Sequence, residues 1–549
     1  MMTLPTAHFD YDAACRDFNL DIPDNFNFAF DVVRQRALNA DKTAVIEIDK
    51  TATKVTHHRY SDLEAASNRF ANVLTGLGAS KGDFAFVMIP RQVEWYHTLL
   101  GAMKIGVVSM PATNLLTAKD IEYRVNRSGA KLVIVTAAHV EKVEAIKANC
   151  PSLEHLIVVG DDVGPMPAGW VIMQTAAAAA DSTFDRASVT ANHADDPMLI
   201  YFTSGTTSMP KMVERDYRYG MAHEITRRYW MTLTADDVHW TLTDTGWAKA
   251  AWGLVFPPLL AGAAIMLFDG EGFDAELHLQ MIEGHKVTTF CAPPTIYRLF
   301  AQMDVSGYDL SSLRHCLGAG EPLNPEAMRA WKAATGCDVY DGYGQTETVN
   351  IVANFPGMEI RPGSMGKPVP GLTIAIIDED GNIVDDEVVG HIAVKITDPH
   401  PLGLFHGYFR DPDGTARAFR NGWYYTGDTA TRDSDGYIWF VGRSDDIISS
   451  AGYRISPFEV ESALIEHPAV LESAVVGKPD PLRGEIVKAF VILAEGHDGS
   501  AEMTAEIQDF VKKTTAPYKY PREIEYRSSL PKTISGKIRR VELRAESSD

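Results

Sequence analysis

Along the first third of the chain, apolar positions at helical spacing alternate with short unbroken apolar runs. Leu63, Phe70, Val73, Leu74 and Leu77 follow Ser61 and Glu64, whose three-residue spacing is that of a capping box, so a helix is predicted here. Phe84 to Ile89 is wholly apolar and ends at Pro90, which suits a buried strand. Further helices are predicted across Val93 to Ile105 and through Ile121, Tyr123 and Val125 up to Gly129, with strands over Leu132 to Val135 and Leu156 to Val159. Buried strands that alternate with helices imply a parallel, doubly wound sheet. Ala250 to Phe268 runs 19 residues without a charge, long enough to raise a membrane span. Pro257, Pro258 and Gly262 interrupt it, so a buried helix followed by a buried strand is predicted instead, and no membrane span.

From about Pro362 the pattern changes to short strands punctuated by Asp/Gly turns such as Asp378-Glu379-Asp380-Gly381, an antiparallel or barrel-like section. After Gly442-Arg443-Ser444-Asp445-Asp446, Ser456 with Pro457 and Glu459 marks a helix start. Strands near Ala474–Val476, Val487–Leu493 and Ile524–Tyr526 and a helix near Glu502–Thr514 complete a small unit. The fold expected is therefore α/β. It has a large N-terminal domain (1–444) of doubly wound sheets plus a barrel-like β section, and a small α+β C-terminal domain (445–549).

Composition narrows the function. The chain has 549 residues, with 73 acidic against 51 basic side chains and a net charge of −22. That balance argues against a nucleic-acid or anionic-membrane surface, though a local pocket can still hold a small anion. Val511 to Arg544 is the exception, with ten Lys/Arg against three Glu. The five cysteines are scattered without metal-ligand spacing, which excludes a disulfide framework and fits a reducing compartment. The first residues contain no apolar h-region, so a cytoplasmic location is expected. A homo-oligomer is compatible with all of this.

Four clusters carry candidate chemistry. Thr203-Ser204-Gly205-Thr206-Thr207 leads through Ser208 to Pro210-Lys211, a small hydroxyl-rich loop after the apolar run Met198 to Phe202. Backbone N–H groups in such a loop can wrap phosphate oxygens. The GxxxxGK[ST] pattern is not met, and a solvated Ser/Thr turn reads equally well. Asp341-Gly342-Tyr343-Gly344-Gln345-Thr346-Glu347 sets a hydroxyl beside a carboxylate suited to Mg²⁺. Asp428, at the end of Trp423-Tyr424-Tyr425-Thr426-Gly427-Asp428, can accept two ribose hydroxyls, and Arg443 and Arg454 can take phosphate or ribose oxygens. Pro531 to Arg540 places Lys537 after Ser535-Gly536, either a mobile point charge or part of a basic solvated tail.

The four motifs in this order resemble the adenylate-forming (AMP-binding) acyl-CoA synthetase family across nearly the whole chain. Asp244-Thr245-Gly246-Trp247, Gly318-Ala319-Gly320-Glu321-Pro322, Ser450 to Arg454 and Ala516 to Pro521 look most like its medium-chain branch. The resemblance implies that a carboxylic acid attacks the α-phosphate of MgATP to give acyl-AMP and pyrophosphate, and that coenzyme A then displaces AMP. It implies Thr203 to Lys211 on the β- and γ-phosphates, and Gly318, Glu321 and Pro322 with Asp341 to Gln345 around the nucleotide. Thr346 falls on the α-phosphate, Glu347 on Mg²⁺ and Asp428 and Arg443 on the ribose. Lys537 bridges substrate carboxylate and α-phosphate. Trp247 walls the acyl pocket and Arg454 approaches the substrate phosphate. Asp445 matches the hinge about which the mobile small domain turns, bringing Gly452, Tyr453, Arg483, Lys512 and Tyr520 to CoA. Ser208 departs from the family's usual glycine. The rival readings are an adenylating enzyme that loads a carrier protein or oxidises its adenylate, and a non-catalytic nucleotide sensor of the same fold.

Overall fold

The protein is described from a computed structural model covering residues 9–160, 163–203, 210–270, 272–301, 303–321, 323, 325–451, 453–533 and 537–548. Two doubly wound sheets carry the large N-terminal domain. One has seven strands in the order Trp170–Ile172, His155–Val159, Leu132–Thr136, Phe84–Met88, Val108–Pro111, Pro197–Phe202 and Met212–Asp216. Its pairings are parallel up to the last, where Pro197–Phe202 turns back into Met212–Asp216. The other has nine strands, with His315–Gly318 parallel to Val339–Gly344 near its middle and antiparallel pairs at both edges. The predicted helix Val93–Ile105 is present with those bounds, and Ala118–Ser128 ends at Gly129 as expected.

Three local expectations are corrected. The first helix runs Tyr60–Gly76, and at its start the Arg59 N–H donates to the Asp62 carboxylate (2.7 Å). Ser61 and Glu64 are drawn to long-range partners: the Ser61 hydroxyl donates to Asp41 (3.0 Å), and the Glu64 carboxylate takes Arg34 and the buried Lys104, both at 2.7 Å. Pro257 and Pro258 do not break the apolar stretch but begin the helix Phe256–Ala261, where a missing N–H is tolerated. Gly262 makes the division, and the strand Ala264–Phe268 follows. Among the described residues no helix is long and apolar enough to cross a membrane.

An antiparallel five-stranded sheet follows, with Trp423–Arg432 paired between Gly390–Lys395 and Ile438–Arg443. The small C-terminal domain has its own five-stranded sheet, centred on the long hairpin Val470–Asp480 and Gly484–Leu493. Helices Pro457–Ile465 and Ala501–Thr514 flank it over a core of Ile455, Val460, Leu464, Val475, Ala489, Ile507 and Val511. Ser456 caps the first of these by accepting from the Glu459 N–H (3.1 Å), but the Glu459 carboxylate pairs with Lys519 instead of closing the box.

Candidate functional site

Three of the expected motifs lie where the chain leaves the strands Pro197–Phe202, His315–Gly318 and Val339–Gly344 at their carboxyl ends, the usual location of ligands in open α/β sheets. Phe202 pairs with Met212, and beyond this pair Thr203 N–H donates to the Lys211 carbonyl (2.9 Å) and Lys211 N–H donates to Thr203 Oγ1 (3.1 Å). Ser204, Gly205, Thr206, Thr207 and Ser208 between them lie outside the described residues. So do Pro322, Gly452 and the side chain of Arg454.

The strand Val339–Gly344 delivers the second motif. Its glycines are needed for close approach. A Cβ on Gly342 would lie 2.4 Å from the Trp230 indole, and one on Gly344 would lie 2.3 Å from that of Trp252. Asp341 is buried and accepts from the Gly342 N–H (2.9 Å); burial pushes its carboxyl up to about 7 against these backbone donors. Tyr343 donates to Asp428 Oδ2 at 2.6 Å, and Gln345 donates to the same oxygen at 2.9 Å. Tyr424 in turn donates to Gln345 Oε1 (2.9 Å), which fixes the amide. Gly318 ends the neighbouring strand His315–Gly318, with Glu321 in the loop beyond it. Thr346 follows Gln345, half-buried, and the Glu347 carboxylate is buried beside it.

Three acidic groups, Asp341, Glu347 and Asp428, are thus buried here, and each accepts a hydrogen bond from a neutral donor. Burial raises Glu347, countered by a hydrogen bond from Tyr408 (2.9 Å) and by the charges of Lys211 and Arg215. Burial likewise raises Asp428, and Arg443, Tyr343, Lys537 and Gln345 pull it back. Asp428 pairs in register with Arg443, whose Nε lies 3.5 Å from Oδ1. Lys537 stands exposed on the C-terminal domain with its charge felt at Asp428. Nearby, Arg540 feels the charge of Glu321. Asp445, exposed, sits 3.8 Å from Arg443.

A second group of expected residues assembles elsewhere. Tyr453 stacks on Tyr518 with ring centroids 4.2 Å apart. Arg483 gives its carbonyl to Ala451 N–H (2.8 Å), and Lys512 lies over the Tyr520 ring at 4.4 Å. Among the described residues these contacts stay within the small domain, apart from the crevice. Trp247 stands half-buried at the start of the helix Ala248–Ala250.

Sequence reasoning missed Tyr408, Arg215, Trp230 and Trp252. Arg215 is buried and makes no ion pair among the described residues, donating instead to the carbonyls of Glu347 (2.7 Å) and Gly403. No local motif marks these positions, because each reaches the site from a distant element. The donor set present, one carboxylate beside a hydroxyl, fits Mg²⁺ completed by phosphate and water oxygens. Among the described residues no group of three or more His, Cys, Asp or Glu forms a protein-only metal cage.

Residues 32–409 match the family model of AMP-binding enzymes, and 459–537 match that of the AMP-binding enzyme C-terminal domain. The chain is 44% identical to the mitochondrial acyl-coenzyme A synthetase ACSM3 of Rattus norvegicus, over 98% of this chain and 94% of that one. It is 43% identical to the mitochondrial acyl-coenzyme A synthetase ACSM5 of Homo sapiens, over 96% and 91%. Among solved structures it is similar to the anthranilate CoA ligase AuaEII in complex with anthranoyl-AMP (TM-score 0.87, 32% identity, 96% and 98% covered). The acyl-CoA synthetase of Brucella canis superposes with a TM-score of 0.76 at 37% identity, covering 98% of each chain. The expected cytoplasmic location is overturned by relatives named mitochondrial. Scattered free thiols mark a reducing interior, and that property does not separate cytosol from an organelle matrix.

Proposed function

The chain belongs to the AMP-binding enzyme family and is an AMP-forming acid–CoA ligase, and from that premise we propose how its residues divide the reaction. The ligase uses ATP to turn a carboxylic acid into acyl-AMP and passes the acyl group to CoA. Little covalent work falls to the protein in such a displacement, so positioning and charge stabilisation carry it. In the proposed division, Thr203 and Lys211 hold the β- and γ-phosphates. Asp341 and the Gly318 loop take the adenine, and Asp428 with Arg443 takes the ribose. Thr346 binds the α-phosphate and Glu347 holds Mg²⁺, which when bound neutralises polyphosphate charge. Lys537 meets the negative charge that develops between carboxylate and α-phosphate. The observation behind this reading is the cluster at Asp428, which Tyr343 and Gln345 hold by hydrogen bonds and whose carboxyl Arg443 and Lys537 draw down against its burial.

The domain boundary at Asp445 is proposed as the hinge. Tyr453, Arg483, Lys512 and Tyr520 make no contact with the crevice among the described residues, so a rotation is needed to bring them to CoA after the adenylate forms. Two readings compete for the acyl group. Straight medium-chain acids follow from the relatives' branch. A compact branched or aromatic acid is favoured by Trp230 and Trp252, whose indoles close the space behind Gly342 and Gly344. A panel of acids scored by AMP release with CoA present tests this. Compact acids are expected to turn over fastest, and a steady rise in rate with straight-chain length would overturn the compact reading.

A further inference from the structure

Lys211 and Glu347 bear opposite charges at one end of the crevice, where partial burial strengthens their attraction. They nevertheless make no ion pair among the described residues. One side chain occupies the space between them. The Tyr408 ring carries the Lys211 ammonium on its face, 4.3 Å from the centroid, while its hydroxyl donates to Glu347 Oε1 at 2.9 Å. Tyr408 is itself fixed from three directions. It bridges to Val213 of the returning strand, its N–H donates to Thr415 Oγ1 (2.9 Å), and Phe405 packs edge-on against its ring at 4.9 Å. Phe405 N–H in turn donates to the Glu347 carbonyl (2.9 Å), and Arg215 donates to that same carbonyl. The segment carrying Tyr408 and the segment carrying Glu347 are therefore tied together by the Phe405–Glu347 main-chain bond.

We propose that Tyr408 is a positioning residue that holds Lys211 and Glu347 apart, leaving the ammonium for the phosphates of ATP and the carboxylate for a divalent cation. The inference rests on the reading of Lys211 and Glu347 given above. A leucine at 408 would offer neither a π face nor a hydroxyl. The lysine and the carboxylate would then collapse onto each other, and each would be lost to its ligand. A phenylalanine would keep the face and the spacing and lose only the hydrogen bond.

Equilibrium binding of ATP, in EDTA and then across a Mg²⁺ titration, tests this without recourse to turnover. Tyr408→Leu is expected to weaken metal-free ATP binding about tenfold, the size of one quenched charge contact. Tyr408→Phe is expected to stay within about twofold of wild type in EDTA but to need several-fold more Mg²⁺ for its full gain in affinity. The deciding variant is the double substitution Tyr408→Leu with Glu347→Gln. Removing the carboxylate frees Lys211, so metal-free ATP affinity should return to that of Glu347→Gln alone. A double variant as weak as Tyr408→Leu would overturn the spacer role and make Tyr408 a packing residue. So would a Tyr408→Leu chain that binds metal-free ATP normally. A wild-type chain that binds no ATP would instead overturn the underlying reading of the site.

Discussion

The two domains treat charge in opposite ways. In the large domain the acidic groups of the crevice are sequestered, and neutral groups do much of the holding: the Gly342 N–H for Asp341, Tyr408 for Glu347, Tyr343 and Gln345 for Asp428. In the small domain cations are abundant but committed. Of the ten basic side chains between Val511 and Arg544, seven sit in ion pairs: Lys512, Lys519, Arg527, Lys532, Arg539, Arg540 and Arg544. Lys537 makes no ion pair among the described residues and stands exposed on its loop. The positive segment is thus mostly a self-neutralised scaffold, in which Lys513, Arg522 and Lys537 make no ion pair among the described residues. Net charge says little about which charges are available; pairing decides that.

The sharpest way to break this comparison is to remove an unpaired cation. Lys537→Ala is expected to slow acyl-AMP formation from ATP by about 10³-fold, at the upper end of what one charge-stabilising donor supplies. Thioester formation from added acyl-AMP should be spared. Both half-reactions are read by pyrophosphate release and by CoA consumption. An equal fall in both would mean that Lys537 serves the fold or both steps, and the contrast between one working cation and many structural ones would fail.

A committed cation should behave differently. Arg540 forms a bidentate pair with buried Glu461 (2.7 Å to each oxygen) and lies 3.9 Å from Asp446. Arg540→Met leaves Glu461 buried without its partner, which costs about 3 kcal/mol of C-terminal domain stability. Hydrogen exchange across Val470–Asp480 is the readout, and adding Glu461→Gln should recover most of the loss. Reduced adenylation with unchanged exchange protection would place Arg540 with Lys537 instead, among the cations that face the nucleotide.

Much of the fold was legible because its signals are local. Val93–Ile105 carries continuous helical burial, Gly129 stops a helix, and Leu132–Thr136 is an apolar run too short for anything but a strand. The ordered motifs carried the family for the same reason. Long-range partners were not legible. Ser61 and Glu64 have cap spacing, yet Asp41, Arg34 and Lys104 claim their side chains from elsewhere in the fold. Tyr408 is an ordinary tyrosine until the Val213 bridge sets it between two charges. The degree of pairing in the basic segment escaped as well, since Glu459, Glu461 and Glu472 come from helices and strands earlier in the domain.

The other side of the comparison can be sharpened with Asp341, the acidic group whose burial shifts it to about 7. Its folded form holds a proton that the unfolded chain, with an ordinary aspartate near 4, has already released. Between those values the folded state binds more protons, so stability falls as pH rises. The contribution is fully present below pH 4 and is lost as pH passes about 7. From pH 5 to pH 7 the loss amounts to about 2 kcal/mol. Asp341→Asn keeps an oxygen for the Gly342 N–H and carries no charge to bury. Denaturant unfolding of the large domain should therefore show a downward slope in wild type over this interval and a flatter line in the variant, with the variant the more stable above pH 7. Parallel lines would mean that Asp341 is already ionised when buried. Its burial would then have to be offset by partners beyond those backbone donors, and the rule that neutral groups hold the crevice carboxylates would not extend to it.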